Sequence, residues 1–382
     1  MLLIIFIVPC ILVAYDILVY AIKVYKIVHI GRWRTFPKWE SAVYKTCCKW
    51  AQNAPSVRIN DDAKYILWDI IIHKPSYTTV QYWQDAGLIL GLYKYKSHYA
   101  NKLINKNINP KTGDWAIDIL QVDIGLLAYS ILRASPNPNK IHIAMDKVYH
   151  YIISKLNNGT IPYRQEIPDI RFIDTLGLVC PFLMLYGSIY HNSAAIELAI
   201  SQIDEYDRAF HPTCNLPCHA YDIKNNKPMG IYDWGRGVGW YILAIIECID
   251  VCSITDSKQH TVALTDKAIR LANTLLPLQL DCGGYAEMMF NKKGFAESSA
   301  SILIGLLMAT CYKITKNKKY KESLNKIIDR LMLSTLRSGQ IYYCQGDTKG
   351  IGYYSKDFTT MPYAQGMLLY LINEVKLVNA HN

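Results

Sequence analysis

Apolar positions recur at helical spacing from residue 40 to the end of the chain, with short polar breaks between the runs. One pattern returns six times: a polar residue, a small residue within the next turn, then an apolar run. It reads DAGLILGLYKY from Asp85, DIGLLAYSIL from Asp123 and DTLGLVCPFLMLYG from Asp174. It returns as RGVGWYILAII from Arg236, ESSASILIGLLMA from Glu297 and YAQGMLLYLI from Tyr363. The small residues are Gly87, Gly125, Gly177, Gly239, Ala300 and Gly366, and they let neighbouring backbones approach closely. Between these runs lie amphipathic stretches with charged faces, such as MDKVYHYIISKL from Met145 and SLNKIIDRLMLSTL from Ser323. A helix apolar nearly all round must be covered on both sides, whereas one with a charged face lies outside it. About six inner helices alternating with six outer ones predict an all-α (α/α)6 barrel of six helical hairpins. An open solenoid fits less well, because the periods are uneven and the polar residues cluster at one end of each inner helix.

That clustering carries the functional reading. If the inner helices start at one rim, Asp85, Asp123, Asp174, Arg236 and Glu297 converge around a mouth. The turns GTIPYRQE, NLPCHAYD, GGYAEMMF and GQIYYCQGDTKGIGYY, strand-like and aromatic, are expected to wall it. Asp123 and Asp174 start successive inner helices, whose axes should pass roughly 8–10 Å apart. Two carboxylates facing one cavity form an acid/base pair, since burial and a like-charged neighbour each let one of them keep a proton near neutral pH. The simpler role for an acid at a helix start is capping. Recurrence of charge at five equivalent starts favours a polar pocket. Arg236 offers a guanidinium fork to a carboxylate, or an ion pair to a rim acid. Trp234 and Trp240 suit sugar stacking or core packing, and His219 a hydroxyl partner. Asp85 and Glu297 are expected to be structural.

The first 22 residues are apolar apart from Asp16, long enough to cross a bilayer, and lack a basic start or a cleavage site. Residues 1–30 therefore read as a membrane-anchor helix with a basic flank, and 31–382 as the barrel domain. Lys23, Lys26, Arg32, Arg34 and Lys38 follow the apolar run and no Lys or Arg precedes it, which places the barrel on the cytoplasmic side. The net charge is +10. Eight basic residues against Asp16 and Glu40 put +6 of it in residues 1–60. The fold itself is thus nearly neutral, which argues against a nucleic-acid partner. Eleven cysteines without a CxxC pair fit a reducing compartment. Cys214 and Cys218 beside His219 are a weak metal signal, and no phosphate-binding loop, HExxH or GxSxG is present. No cofactor or metal is expected.

The stretch FIDTLGLVCPFLMLYG resembles a signature of the unsaturated rhamnogalacturonyl hydrolases, glycoside hydrolase family 105, related to the unsaturated glucuronyl hydrolases of family 88. WGRGVGW, HAYD and ESSASILIGLLMA resemble further motifs of these families, in order, over roughly residues 40–378. The resemblance implies the (α/α)6 barrel. It also implies hydration of a 4,5-unsaturated uronic acid at the end of an oligosaccharide left by a lyase. Asp174 matches the general acid/base, with the apolar run behind it keeping it protonated. Asp123 matches the second acid. His219, Tyr221, Trp234, Arg236 and Trp240 fall at matching substrate-side positions. The chain departs at Thr175, where many members carry Asp, and at Gly177, where a larger side chain is common; both changes are expected to reshape the binding pocket. An ordinary glycosidase on the same barrel and a membrane-anchored glycan-binding protein are the alternatives.

Overall fold

The computed structural model describes residues 2–55, 57, 82–255, 258–348 and 350–380. Lys349, within the last quoted aromatic turn, lies outside the described residues. Six inner helices are present: α3 (Tyr82–Lys94), α5 (Ile124–Ala134), α7 (Ile173–Ile189), α9 (Gly235–Ile254), α11 (Ser298–Thr315) and α13 (Pro362–Ala380). Each packs on the next, and α13 packs back on α3, so the ring closes. This is the (α/α)6 barrel and not the open solenoid.

The outer layer consists of α4 (Ala100–Asn107), α6 (His142–Ser154), α8 (Ser193–Glu205), α10 (Thr261–Leu275) and α12 (Lys318–Leu333). Each covers the inner helix that precedes it. The sixth outer helix is α2 (Phe36–Trp50), which covers α13 and so joins the two ends of the barrel sequence. Outer helices bury one stripe only. In α12 the buried side chains Tyr320, Leu324, Ile327, Ile328 and Leu331 recur every third or fourth residue, and the Asn317 side chain caps the start by accepting from the Lys319 amide.

The small residues act as the sequence pattern suggests. A Cβ on Gly91 would lie 2.0 Å from the Gly366 carbonyl oxygen, and one on Gly177 would lie 2.6 Å from that of Trp240. Gly177 is therefore a contact between inner helices α7 and α9. The expectation that it reshapes the pocket is corrected on that ground.

Short antiparallel strands decorate the rim where inner helices begin. They are β1 (Ile170–Phe172), β2 (Ala220–Asp222) and β3 (Lys227–Met229) in one sheet, β4 (Tyr285–Ala286) with β5 (Ala296–Glu297), and β6 (Cys344–Gln345) with β7 (Phe358–Thr359). The turn GTIPYRQE contributes only the bridge from Asn157 to Thr160; the strand forms just after it.

Before the barrel runs α1 (Leu2–Val28). Among the described residues, three helices are long and apolar enough to cross a membrane: Ile7–Val28 of α1, with none of its apolar window buried, and α9 and α11, which are buried inside the barrel.

Candidate active site

Strand pairing sets the site. Phe172 of β1 pairs with Ala220 of β2, and the Ile173 amide donates to the His219 carbonyl at 3.0 Å. β1 runs straight into α7, so this register places Asp174 in the first turn of α7 beside the His219 ring. The gap from His219 Nε2 to Asp174 Oδ2 is 3.6 Å. The other ring nitrogen, Nδ1, meets the Tyr354 hydroxyl at 3.1 Å. His219 is buried, and its ring packs against Phe172, Trp234 and Tyr354.

Asp123 stands just before α5, the inner helix next to α7, and is 1 % exposed. Asp123, at the N-cap of α5, makes no side-chain capping bond, and the N-cap of α7 is Phe172, with Asp174 in the turn that follows. One oxygen of each, Asp123 Oδ1 and Asp174 Oδ2, is buried without a hydrogen-bond partner among the described residues. A buried carboxylate oxygen left in this way costs free energy, so the pair is poised to receive a hydrogen-bond donor.

Asp123 sits in an unusual electrostatic setting. Burial pushes the Asp123 carboxyl up to about 7, and the charge of Asp347 adds to the rise, against the lowering effect of nearby backbone amides. The like-charged neighbour is thus Asp347, from the turn after β6, and the carboxyl that burial drives toward neutral pH is Asp123. Asp174, with a side chain 18 % exposed, is the more accessible of the two acids. The Tyr163 hydroxyl is raised by burial and then by the charges of Asp123, Asp174 and Asp347, so these three carboxylates surround one phenol.

The remaining sequence candidates sit close by but are occupied. Arg236, 2 % exposed, donates from Nη1 to the Gln345 carbonyl at 2.5 Å and from Nη2 to the Gly346 carbonyl at 2.8 Å and Thr348 Oγ1 at 3.2 Å. Its guanidinium clamps the turn that carries Asp347, so neither expected role, a free fork or an ion pair with a rim acid, describes it. Trp234 is buried under the Arg236 guanidinium and donates to Gln345 Oε1 at 2.9 Å. Trp240 is buried against Trp83 and Tyr363. Neither indole presents a face to a sugar in this structure; both pack. Tyr221 lies in β2 with its hydroxyl on Asn226. Glu297 is fully buried and caps α11, accepting from the Ser299 and Ala300 amides and from the Gln345 amide. Asp85 pairs with Lys106 at 3.2 Å. Thr175 is buried, its hydroxyl unpartnered among the described residues.

Tyr163, Asp347, Tyr354 and Gln345 were not singled out by sequence. All four lie in or beside the quoted aromatic turns, which was the only signal available. One open cleft of about 250 Å³ lies between Phe210, Asn215, Tyr241 and Arg270. The acids lie beneath the turns that cap the barrel.

Against this geometry the comparisons are decisive for the family. The model of Glycosyl Hydrolase Family 88 matches residues 77–378. The chain belongs to that family. No curated protein matches it in sequence. Among solved structures, a possible member of family 105 from Salmonella enterica serovar Paratyphi A is 14 % identical, covering 89 % of this chain and 94 % of its own, with a TM-score of 0.74. A family 105 glycoside hydrolase of C. acetobutylicum is 17 % identical, covering 83 % and 100 %, with a TM-score of 0.65. An unsaturated glucuronyl hydrolase from a Bacillus species, responsible for the degradation of glycosaminoglycan, is 15 % identical, covering 90 % and 97 %, with a TM-score of 0.62. At these identities the likeness is one of fold. Family membership makes the chain a glycoside hydrolase with the helical barrel of that family.

Proposed function

We propose that this glycoside hydrolase removes a 4,5-unsaturated uronic acid from the non-reducing end of lyase-generated oligosaccharides by hydrating its vinyl ether. The observation that carries the reading is the pair of buried, unpartnered carboxylate oxygens on Asp123 and Asp174, at the starts of adjacent inner helices. The solved neighbour that acts on unsaturated glucuronides supports the substrate class.

In this mechanism Asp174, the more accessible acid, gives a proton to C4 of the double bond. Positive charge develops at C5 and is shared with the ring oxygen. Water adds to C5, and its second proton returns to the Asp174 carboxylate. The C5 hemiketal opens to a ketone, which leaves a hemiacetal at C1; its collapse expels the next sugar. Asp123, protonated up to about pH 7, supplies the neutral hydroxyl that orients the water. His219 holds Asp174 from one side and meets a substrate hydroxyl. Tyr221, Trp234, Arg236 and Trp240 shape the wall behind them. The chemistry asks for no metal or cofactor. Residues 1–30 act as membrane anchor and basic flank and 31–382 as the catalytic barrel, held on the cytoplasmic side by the positive flank.

The test is incubation with unsaturated disaccharides cut from pectic, glycosaminoglycan and bacterial capsule polymers, following the far-ultraviolet absorbance of the double bond. Absorbance should fall with at least one of them, and Asp174→Asn should slow the fall by roughly 10²–10⁴-fold. No change with any substrate overturns the reading. Sugar release with the double bond intact would mean attack at the anomeric carbon instead.

A further inference from the structure

After α1 the chain makes a sharp turn at Gly31, which has φ +69° and whose Cβ position would lie 2.5 Å from the Leu333 carbonyl oxygen. Only glycine fits there. The Gly31 amide donates to the Thr335 carbonyl at 3.0 Å, and the Trp33 indole donates to the same oxygen at 3.1 Å. The Trp39 indole donates to Thr335 Oγ1 at 2.9 Å. Three bonds to one residue fasten the exit of α1 to the end of α12, about 300 positions away in sequence.

This fastening brings together five side chains that line one cleft of about 580 Å³: Arg32, Trp33, Arg34, Lys38 and Arg337. Four carry positive charge and no acid lines the cleft. The four cations are exposed and Trp33 is half-buried. None of the four makes an ion pair among the described residues; the Arg32 guanidinium donates to the Val28 carbonyl at 3.2 Å. Four like charges held together without counter-charges repel one another, and an anion relieves that. The cleft follows α1 directly; none of the α1 window from Ile7 to Val28 is buried, and its last turns lie beside the barrel, with Lys23 3.8 Å from Asp357. The indole beside the charges has the character of a residue at a membrane–water boundary.

We infer that this cleft is a seat for the phosphate headgroup of an anionic phospholipid, formed jointly by the segment after α1 and by Arg337 of the barrel. The inference rests on the reading of α1 as a membrane anchor. A bilayer crossed by α1 presents headgroups at the level of Arg32 to Lys38. Arg337 joins them because the Thr335 bonds, and the Lys23–Asp357 pair, hold the barrel against the end of α1. A bound headgroup would therefore fix the barrel's orientation to the membrane, which a free tether would not.

The test uses the full chain in phosphatidylcholine vesicles holding trace amounts of spin-labelled phosphatidylglycerol or spin-labelled phosphatidylcholine. The immobilised fraction of each label gives the lipid selectivity. Each cation near the surface is worth roughly a fivefold preference at most. The native chain should prefer phosphatidylglycerol several-fold, and high salt should reduce this strongly because the four cations are exposed. Arg337→Glu and the double change Arg34→Glu with Lys38→Glu should each bring selectivity close to one, with helical circular dichroism and vesicle incorporation unchanged. Equal immobilisation of the two lipids, or a preference that survives Arg337→Glu, overturns the inference while leaving the anchor reading standing. Failure of the native chain to enter vesicles overturns both. Release of the immobilised phosphatidylglycerol by millimolar inorganic phosphate would make the cleft a site for free phosphate and overturn its assignment to a lipid.

Discussion

Five inner helices carry a charged residue near their start in the same sequence pattern; Asp85 of α3 is paired with Lys106, and the other four fall into two kinds. At α9 and α11 the charge is fully used. Arg236 gives its donors to the carbonyls of Gln345 and Gly346, and Glu297 accepts from two amides of its own helix and from the Gln345 amide. Both serve the turn between β6 and β7. At α5 and α7 the charge is left over: Asp123 makes no cap bond, Asp174 lies past the N-cap Phe172, and each keeps a buried oxygen without a partner among the described residues. The same position in a repeat therefore builds the frame on one side of the barrel and leaves reactive groups on the other. Polar groups that a fold buries but does not satisfy are where its chemistry is expected.

The largest effect should come from Asp123→Asn, through stability. An unfolded aspartate loses its proton near 3.8, whereas burial holds the proton on native Asp123 up to about 7. Between those values the native state binds the extra proton, so native stability falls as pH rises through the window and stays lowered above it. The variant lacks this dependence. Urea unfolding should show Asp123→Asn more stable than the native chain by up to about 4 kcal/mol at pH 8, with the difference vanishing near pH 4. A difference that does not change with pH would remove the contrast between the two kinds of helix start. The same variant should lose turnover, since the amide cannot play the part of a neutral acid.

Arg236→Met comes next and separates two roles. If the guanidinium clamps the β6–β7 turn, its loss leaves two buried carbonyls without donors and lowers stability by about 3 kcal/mol. Turnover should fall as well, because Asp347 sits in that turn beside Asp123. If Arg236 instead gripped a uronate carboxylate, KM would rise with the melting temperature unchanged. Measuring both on one preparation decides between them.

The barrel was legible because its signal is repeated. Six apolar runs with a small residue near each start leave few architectures, and contacts such as Gly91 on Gly366 explain why the small residues are there. The site was legible in part. Asp174 and His219 meet at 3.6 Å and the charges of Asp123 and Asp174 both reach Tyr163, but the turn residues Tyr163, Asp347 and Tyr354 have no period to betray them. Their placement depends on contacts over long separations, such as the side-chain hydrogen bond of His219 with Tyr354. Arg236, Trp234 and Trp240 were read as substrate-side groups because their types suit sugars. Their types suit a buried clamp and an aromatic core equally well, and only the bond partners tell these apart. Gly177 was misread for a related reason: a missing side chain looks like room in a pocket until the neighbouring backbone is seen to fill it.

The smallest effect should be that of Glu297→Gln, and it probes the satisfied kind of helix start. Glu297 Oε1 accepts from the Ser299 amide at 3.0 Å, the Ser299 hydroxyl at 2.7 Å and the Gln345 amide at 2.8 Å, while Oε2 accepts from the Ala300 amide at 2.6 Å. Glutamine keeps one oxygen. Set over the three donors, it turns its NH₂ toward the Ala300 amide, which then lacks an acceptor in a fully buried place. The loss of one buried bond and of negative charge at a helix N-terminus amounts to about 2 kcal/mol. Because the cap does not touch the Asp123–Asp174 pair, the variant should melt earlier yet keep most of its turnover at temperatures where it is folded. A large fall in kcat without a shift in melting temperature would place Glu297 with the reactive starts and break the division between the two halves of the rim.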